Sequence, residues 1–113
     1  YYKELTEAYN DDTYRILSSV TLDKIIESNS WPAPDLIKID VQGAELDILK
    51  GGKKILSEAT YLIVELQHIE YNDKAPLFEE SIATIEKSGW KLINSKFSSS
   101  DYAIDADYLF KKL

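Results

Sequence analysis

The sequence predicts an α/β fold with a mostly parallel sheet and an antiparallel last strand, and three observations carry that prediction. Short β-branched apolar runs at residues 36–41 and 61–66 alternate with stretches whose apolar residues recur at helical spacing. Prolines or glycines punctuate the joins, at Pro32, Pro34, Gly43, Gly51 and Gly89. The last two extended runs, 90–95 and 108–110, lie close enough in sequence to pair antiparallel.

The elements follow in order. Residues 1–20 keep no steady period, and Asn10, Asp11 and Asp12 read as a loop leading into a short strand over Tyr14, Ile16, Leu17 and Val20. Thr21 is the expected N-cap of a first helix. Leu22, Ile25 and Ile26 follow at helical spacing, and Asp23 sits in the first turn, where exposed N–H groups favour an anion. That helix should end near Asn29, since Pro32 and Pro34 cannot continue it.

The run at 36–41 reads as a strand covered on both faces, with Gly43 marking a tight turn directly after it. A second helix should start at about Ala44, turn Leu46 and Leu49 inward, and stop at Gly51 as a left-handed C′ residue. Residues 52–57 add one more turn that buries Ile55 and Leu56, and 61–66 is a second buried strand. After a loop over 69–75, Pro76 suits a first helical turn, and Phe78, Ile82 and Ile85 define a helix closed by Gly89. Trp90, Leu92 and Asn94 alternate with Lys91, Ile93 and Ser95 as a half-exposed strand; a serine-rich acidic loop at 98–105 precedes the last strand.

Composition bounds what such a fold can do. At 113 residues the chain is one small domain, able to bury roughly 65% of its unfolded surface and so to form a core without disulfides or metal. With 13 Lys+Arg against 20 Asp+Glu the net charge is −7, and the basic residues are scattered apart from Lys53–Lys54 and Lys111–Lys112, which argues against nucleic acid as a direct ligand. No apolar run approaches the roughly 18 residues that span a bilayer, so no membrane partner is expected. The absence of cysteine removes thiolate nucleophiles, thiolate zinc sites and disulfides, and fits a cytoplasmic location. The chain also has no methionine and begins Tyr1-Tyr2, as expected of a segment of a longer polypeptide.

The segment 35–51, DLIKIDVQGAELDILKG, resembles the signature of the FkbM family of S-adenosylmethionine-dependent methyltransferases. The preceding Val20-Thr21-Leu22-Asp23, the strand end Ile63-Val64-Glu65 and the closing Asp107-Tyr108-Leu109-Phe110 are similar to later landmarks of the same family, so the resemblance covers about residues 16–113. It implies a Rossmann-like class I methyltransferase fold in which 36–40 is the fourth strand, 61–66 the fifth, 90–95 the sixth and 108–112 the reversed seventh. It also implies transfer of a methyl group from S-adenosylmethionine, typically to a hydroxyl of a sugar or secondary product. Such enzymes bind the cofactor at a glycine-rich turn after the first strand and an acidic residue ending the second, and neither is present: the four glycines form no such loop. The expectation is therefore the carboxyl-terminal half of a methyltransferase domain, inactive by itself, with a small hydroxyl-bearing acceptor. It would dock with the missing half or with a second copy. A non-catalytic module that assembles through an exposed sheet edge is the alternative.

In a parallel α/β sheet ligands gather at the carboxyl ends of the strands, which directs attention to 40–45 and 65–68. Asp40, at a strand end beside a glycine turn, can accept a hydroxyl proton, orient a cofactor amine, hold a metal, or simply form the turn. Gln42 and Gly43 are the candidate cofactor contacts; Gly43 serves either a close approach or a positive φ. Glu45 reads as a cap more than a substrate contact. Glu65 and His68, the only histidine, form a candidate acid–base cluster, against the plainer reading of an exposed loop histidine. With no thiolate and one imidazole, no metal site is expected. Lys38 should lie near Asp40 or Glu65, and those two carboxylates should approach within about 5 to 10 Å.

Overall fold

A computed structural model of the chain describes residues 16–97 and 104–113. The elements run α1 (Leu22–Ser28), β1 (Leu36–Ile39), α2 (Glu45–Gly51), α3 (Lys53–Glu58), β2 (Tyr61–Gln67), α4 (Phe78–Lys87), β3 (Trp90–Phe97) and β4 (Asp105–Lys112). Residues 16–20 are irregular, so the described part of the expected early strand is absent; Tyr14 and most of the 98–105 loop lie outside the described residues.

Helix α1 is bounded as its sequence dictates. Thr21 accepts from Lys24 N at 3.3 Å. Ser30, at φ 52°, ends the helix with paired bonds, Ser30 N to Glu27 O and Trp31 N to Ile26 O, before the prolines. Asp23 does not serve its own helix. Its two oxygens accept from Lys54 N at 2.9 Å and Ile55 N at 2.8 Å, capping α3 and tying α1 to it. Gly51 is not left-handed either. It is the last residue of α2, and a Cβ there or on Gly52 would crowd Thr21 or Leu22, so the glycine pair lets α1 lie close. Pro76 precedes the N-cap Leu77 of α4 rather than standing within its first turn, whereas Gly89 closes that helix with φ 91°.

Among the described residues the sheet has four strands in the order β1-β2-β4-β3. β1 and β2 are parallel, and β4 runs antiparallel to both β2 and β3. Three strands therefore share a direction, but the reversed β4 lies between β2 and β3, so the sheet is mixed in its pairings rather than mostly parallel. A bulge at Leu92/Asn94 interrupts the simple alternation expected of β3.

The core lies on one face. Leu62, Val64, Leu66 and Phe110 from the sheet meet Ile55 and Leu56 of α3 and Ile85 of α4, all buried. The opposite face is not covered by the described residues. Leu36, Lys38 and Tyr61 are exposed, and Ile63, Glu65, Asp107 and Leu109 are half-buried. The two strands expected to be buried on both sides are thus buried on one, and β1 stands at the sheet edge.

Candidate active site

The register builds the site. Ile39 pairs with Val64, so one residue further along the same parallel ladder Asp40 comes beside Glu65. Across the antiparallel ladder Glu65 stands opposite Asp107, and Gln67 opposite Asp105. Strand alternation then places Lys38, Asp40, Glu65 and Asp107 on the open face, at the end where the parallel strands finish.

Direct interactions hold this group together. Gln42 Nε2 donates to Glu65 Oε2 at 2.9 Å and to Asp40 Oδ1 at 3.4 Å, so one amide nitrogen bridges the two carboxyls. Lys38 Nζ lies 3.6 Å from Asp40 Oδ2 and 3.4 Å from Asp107 Oδ1. The expected pairing of Lys38 with Asp40 is present. The Lys38 side chain is half-exposed, so the pairing rests on an ammonium set between carboxylates on both sides and not on burial. Both ion pairs raise its affinity for its proton, Asp107 most strongly.

The carboxyl pair divides one proton. Glu65 is pushed up to about 7, first by desolvation, then by its hydrogen bond with Asp40 and the charges of Asp105, Asp40 and Asp107. Asp40 is held below the usual carboxylate range, mainly because it accepts that hydrogen bond, with Gln42 and Lys38 adding to the effect. Of the two, Glu65 is therefore the one that takes up a proton near neutrality, beside an Asp40 that stays ionised.

The turn after β1 supports the pair. Gln42 and Gly43 have φ 59° and 109°. Glu45, buried at 5% exposure, turns back so that Oε1 accepts from Gly43 N at 2.9 Å and Val41 N at 3.4 Å; it fastens the turn before α2 instead of capping the helix as expected, since the N-cap Ala44 has no side-chain cap. Both readings of Gly43 hold, and its neighbour is protein. A Cβ there would come 2.8 Å from Ala75 Cβ and 3.4 Å from Asn72 Cβ, so the space is taken by the loop after β2.

His68 is not brought to this group. It follows Glu65 by three positions, an odd interval that turns it to the covered face. There Nε2 lies 2.8 Å from Tyr108 Oη and the ring packs on Phe78 with centroids 4.6 Å apart. The expected Glu65–His68 cluster is therefore split by the sheet, an outcome readable from the spacing once the strand is known to run to Gln67. Sequence reading also passed over Asp105, Asp107 and Tyr71. Asp107 could have been found by pairing the last strand with β2. Tyr71, whose hydroxyl donates to Gln42 Oε1 at 2.8 Å, reaches the site only through the fold of its loop. Among the described residues no three metal-ligating side chains converge, and no helix is long and apolar enough to cross a membrane.

Comparison with known proteins gives this geometry its setting. The family model of the methyltransferase FkbM domain matches residues 2–92. The hexuronic acid methyltransferase AglP of Haloferax volcanii is 31% identical over 71 residues, a stretch that is 62% of this chain and 30% of that protein. The match therefore spans under a third of the relative's length. No solved structure gives a significant match. Because the family model covers most of the chain, including the β1 turn and the β2 end where Asp40, Gln42 and Glu65 meet, the chain belongs to the FkbM methyltransferase domain family.

Proposed function

We propose that this chain is the carboxyl-terminal half of an S-adenosylmethionine-dependent O-methyltransferase domain whose acceptor is a hydroxyl of a sugar or similar small molecule. The observation that carries the reading is the carboxyl pair Asp40–Glu65, aligned at the parallel strand ends and bridged by the Gln42 amide. The family supports methyl transfer, and the named substrate of AglP supports a sugar-like acceptor. The strand directions, with three alike and the last reversed, support the assignment to the fourth through seventh strands of a Rossmann-like sheet.

The described residues fit the cofactor as one wall. Asp40 and Glu65 present oxygens that can accept from an ammonium or hydroxyl. Gly43, by contrast, offers no cradle, since Ala75 occupies the space its missing side chain leaves. S-adenosylmethionine supplies an electrophilic methyl group, and the remaining requirement falls on the protein: the acceptor oxygen must be positioned and must lose its proton as it bonds to carbon. A pair whose upper ionisation lies near 7 is matched to that task. When both carboxyls are ionised, the pair can take the hydroxyl proton and keep it between Glu65 and Asp40, with Lys38 offsetting the residual charge.

Replacement of Asp40 by Asn in the full-length enzyme keeps the shape and removes the charge, and turnover is expected to fall while the melting temperature holds. Unchanged turnover with a lowered melting temperature would make Asp40 a structural turn residue. The half-domain assignment predicts that calorimetry on this chain alone detects no tight S-adenosylmethionine binding. A dissociation constant in the low micromolar range, about −8 kcal/mol, would overturn it.

A further inference from the structure

The side chain at the centre of the site has partners on two sides. The Gln42 amide spans from the carboxyl pair to the loop after β2, where Tyr71 Oη donates to Oε1 at 2.8 Å. An amide carries its acceptor and donor on one carbon, so fixing the oxygen fixes the nitrogen. With Oε1 held by the phenol, Nε2 faces Glu65 at 2.9 Å and Asp40 at 3.4 Å. The reversed amide would set its oxygen against an ionised carboxylate. Tyr71 is suited to hold it, because burial and the charges of Asp105, Glu65, Glu45 and Asp40 push its phenol up to about 12 and keep it a donor.

We infer that Tyr71 is a positioning residue for the Asp40–Glu65 pair, acting through Gln42: its hydroxyl keeps the amide turned with the N–H groups toward both carboxyls. The catalytic consequence rests on the function proposed above; the relay itself does not and is measured without substrate. The groups that face Glu65 are Asp40 and Lys38 from β1 and its end, and Asp105 and Asp107 from β4. Gln42 joins them from the turn, with Tyr71 behind it. Against that background a donor aimed at the ionised carboxyls favours their ionised form. Releasing the amide leaves the shared proton bound to higher pH.

Carbon-13 NMR of the Glu65 and Asp40 carboxyls across pH tests this on the labelled chain. Tyr71→Phe is expected to raise the upper midpoint of the pair by about half to one pH unit, an ordinary size for a lost donor. Gln42→Gly, which tolerates the positive φ of that position, is expected to raise it at least as far. In the Gln42→Gly background Tyr71→Phe should then add nothing, which a merely structural role for Tyr71 would not produce. Tyr61→Phe removes the hydroxyl of an exposed tyrosine at the far end of β2 and should leave the midpoint in place. An unmoved midpoint in Tyr71→Phe, or an equal shift with and without Gln42, overturns the relay. Should Tyr71→Phe fail to fold, the unaltered chain decides: the Gln42 side-chain amide protons must shift with the pair's upper midpoint, and their independence of it overturns the inference. In the full-length enzyme, a rate profile that ignores a confirmed midpoint shift would count against the proposed catalytic pair, leaving the relay standing.

Discussion

The two faces of this sheet are made by the same strands and answer to different physics. On the covered face Leu62, Val64 and Phe110 have no exposed surface, and packing against α3 and α4 removes all choice of side-chain position. At alternate positions on the other face of the sheet, Lys38, Glu65 and Asp107 stand partly in solvent and are placed by ion pairs and an amide bridge. The covered face therefore contributes stability by burying apolar surface. The open face keeps titratable groups near water, where their protonation can change without unfolding the chain.

The sharpest way to break that contrast is to truncate both faces. Phe110→Ala should cost about 3–5 kcal/mol by urea unfolding, from lost transfer energy and the cavity left behind, whereas Ile63→Ala on the open face should cost about 1 kcal/mol or less. Comparable losses would mean that the open face is covered in solution. Next in size is the turn that joins the faces. Gly43→Ala meets Ala75 Cβ at 2.8 Å and a backbone at φ 109°, so a loss of about 2–4 kcal/mol is expected, with displaced Asn72 and Ala75 resonances marking its origin.

The smallest effect sharpens the contrast through pH. Glu65 binds its proton more tightly folded than unfolded, its pKa rising from 4.5 to about 7. The stability it contributes is therefore fully present below about pH 4.5 and is lost as pH rises through about 7. Asp40 acts in the opposite sense, since its lowered pKa adds stability that disappears as pH falls through its folded value. Glu65→Gln should match the parent in thermal melts near pH 4.5 and exceed it near pH 8 by about 1–2 kcal/mol, after allowance for solvent screening. A mutant curve parallel to the parent's at every pH would remove the shared proton from the account.

Much of this was legible in the chain because it depends on short range. Thr21 as a cap, the stop before Pro32, the turn at Gly43 and the α4 stripe of Phe78, Ile82 and Ile85 each follow from local sterics and hydrogen bonding. The pairing of Lys38 with Asp40 followed from two-residue alternation along one strand. The same rule, applied one residue past the end of β2, would have separated His68 from Glu65. Reading His68 as loop hid that parity.

What tertiary structure alone decided are the relations between segments distant in sequence. Asp23 looked like the anion of its own first turn, yet it caps α3 because α1 packs across that helix's start. Gly51 looked like a helix stop, yet it and Gly52 are contact points for Thr21 and Leu22. The insertion of β4 between β2 and β3 set Asp107 opposite Glu65, and the loop after β2 carried Tyr71 to Gln42. Capping, turns and alternation are settled within a few residues by the backbone itself, so the sequence by itself determined them. The proton-sharing pair and its supports depend on which strand lies beside which, and that choice is made by burying the common face of Leu62, Val64 and Phe110 under the helices.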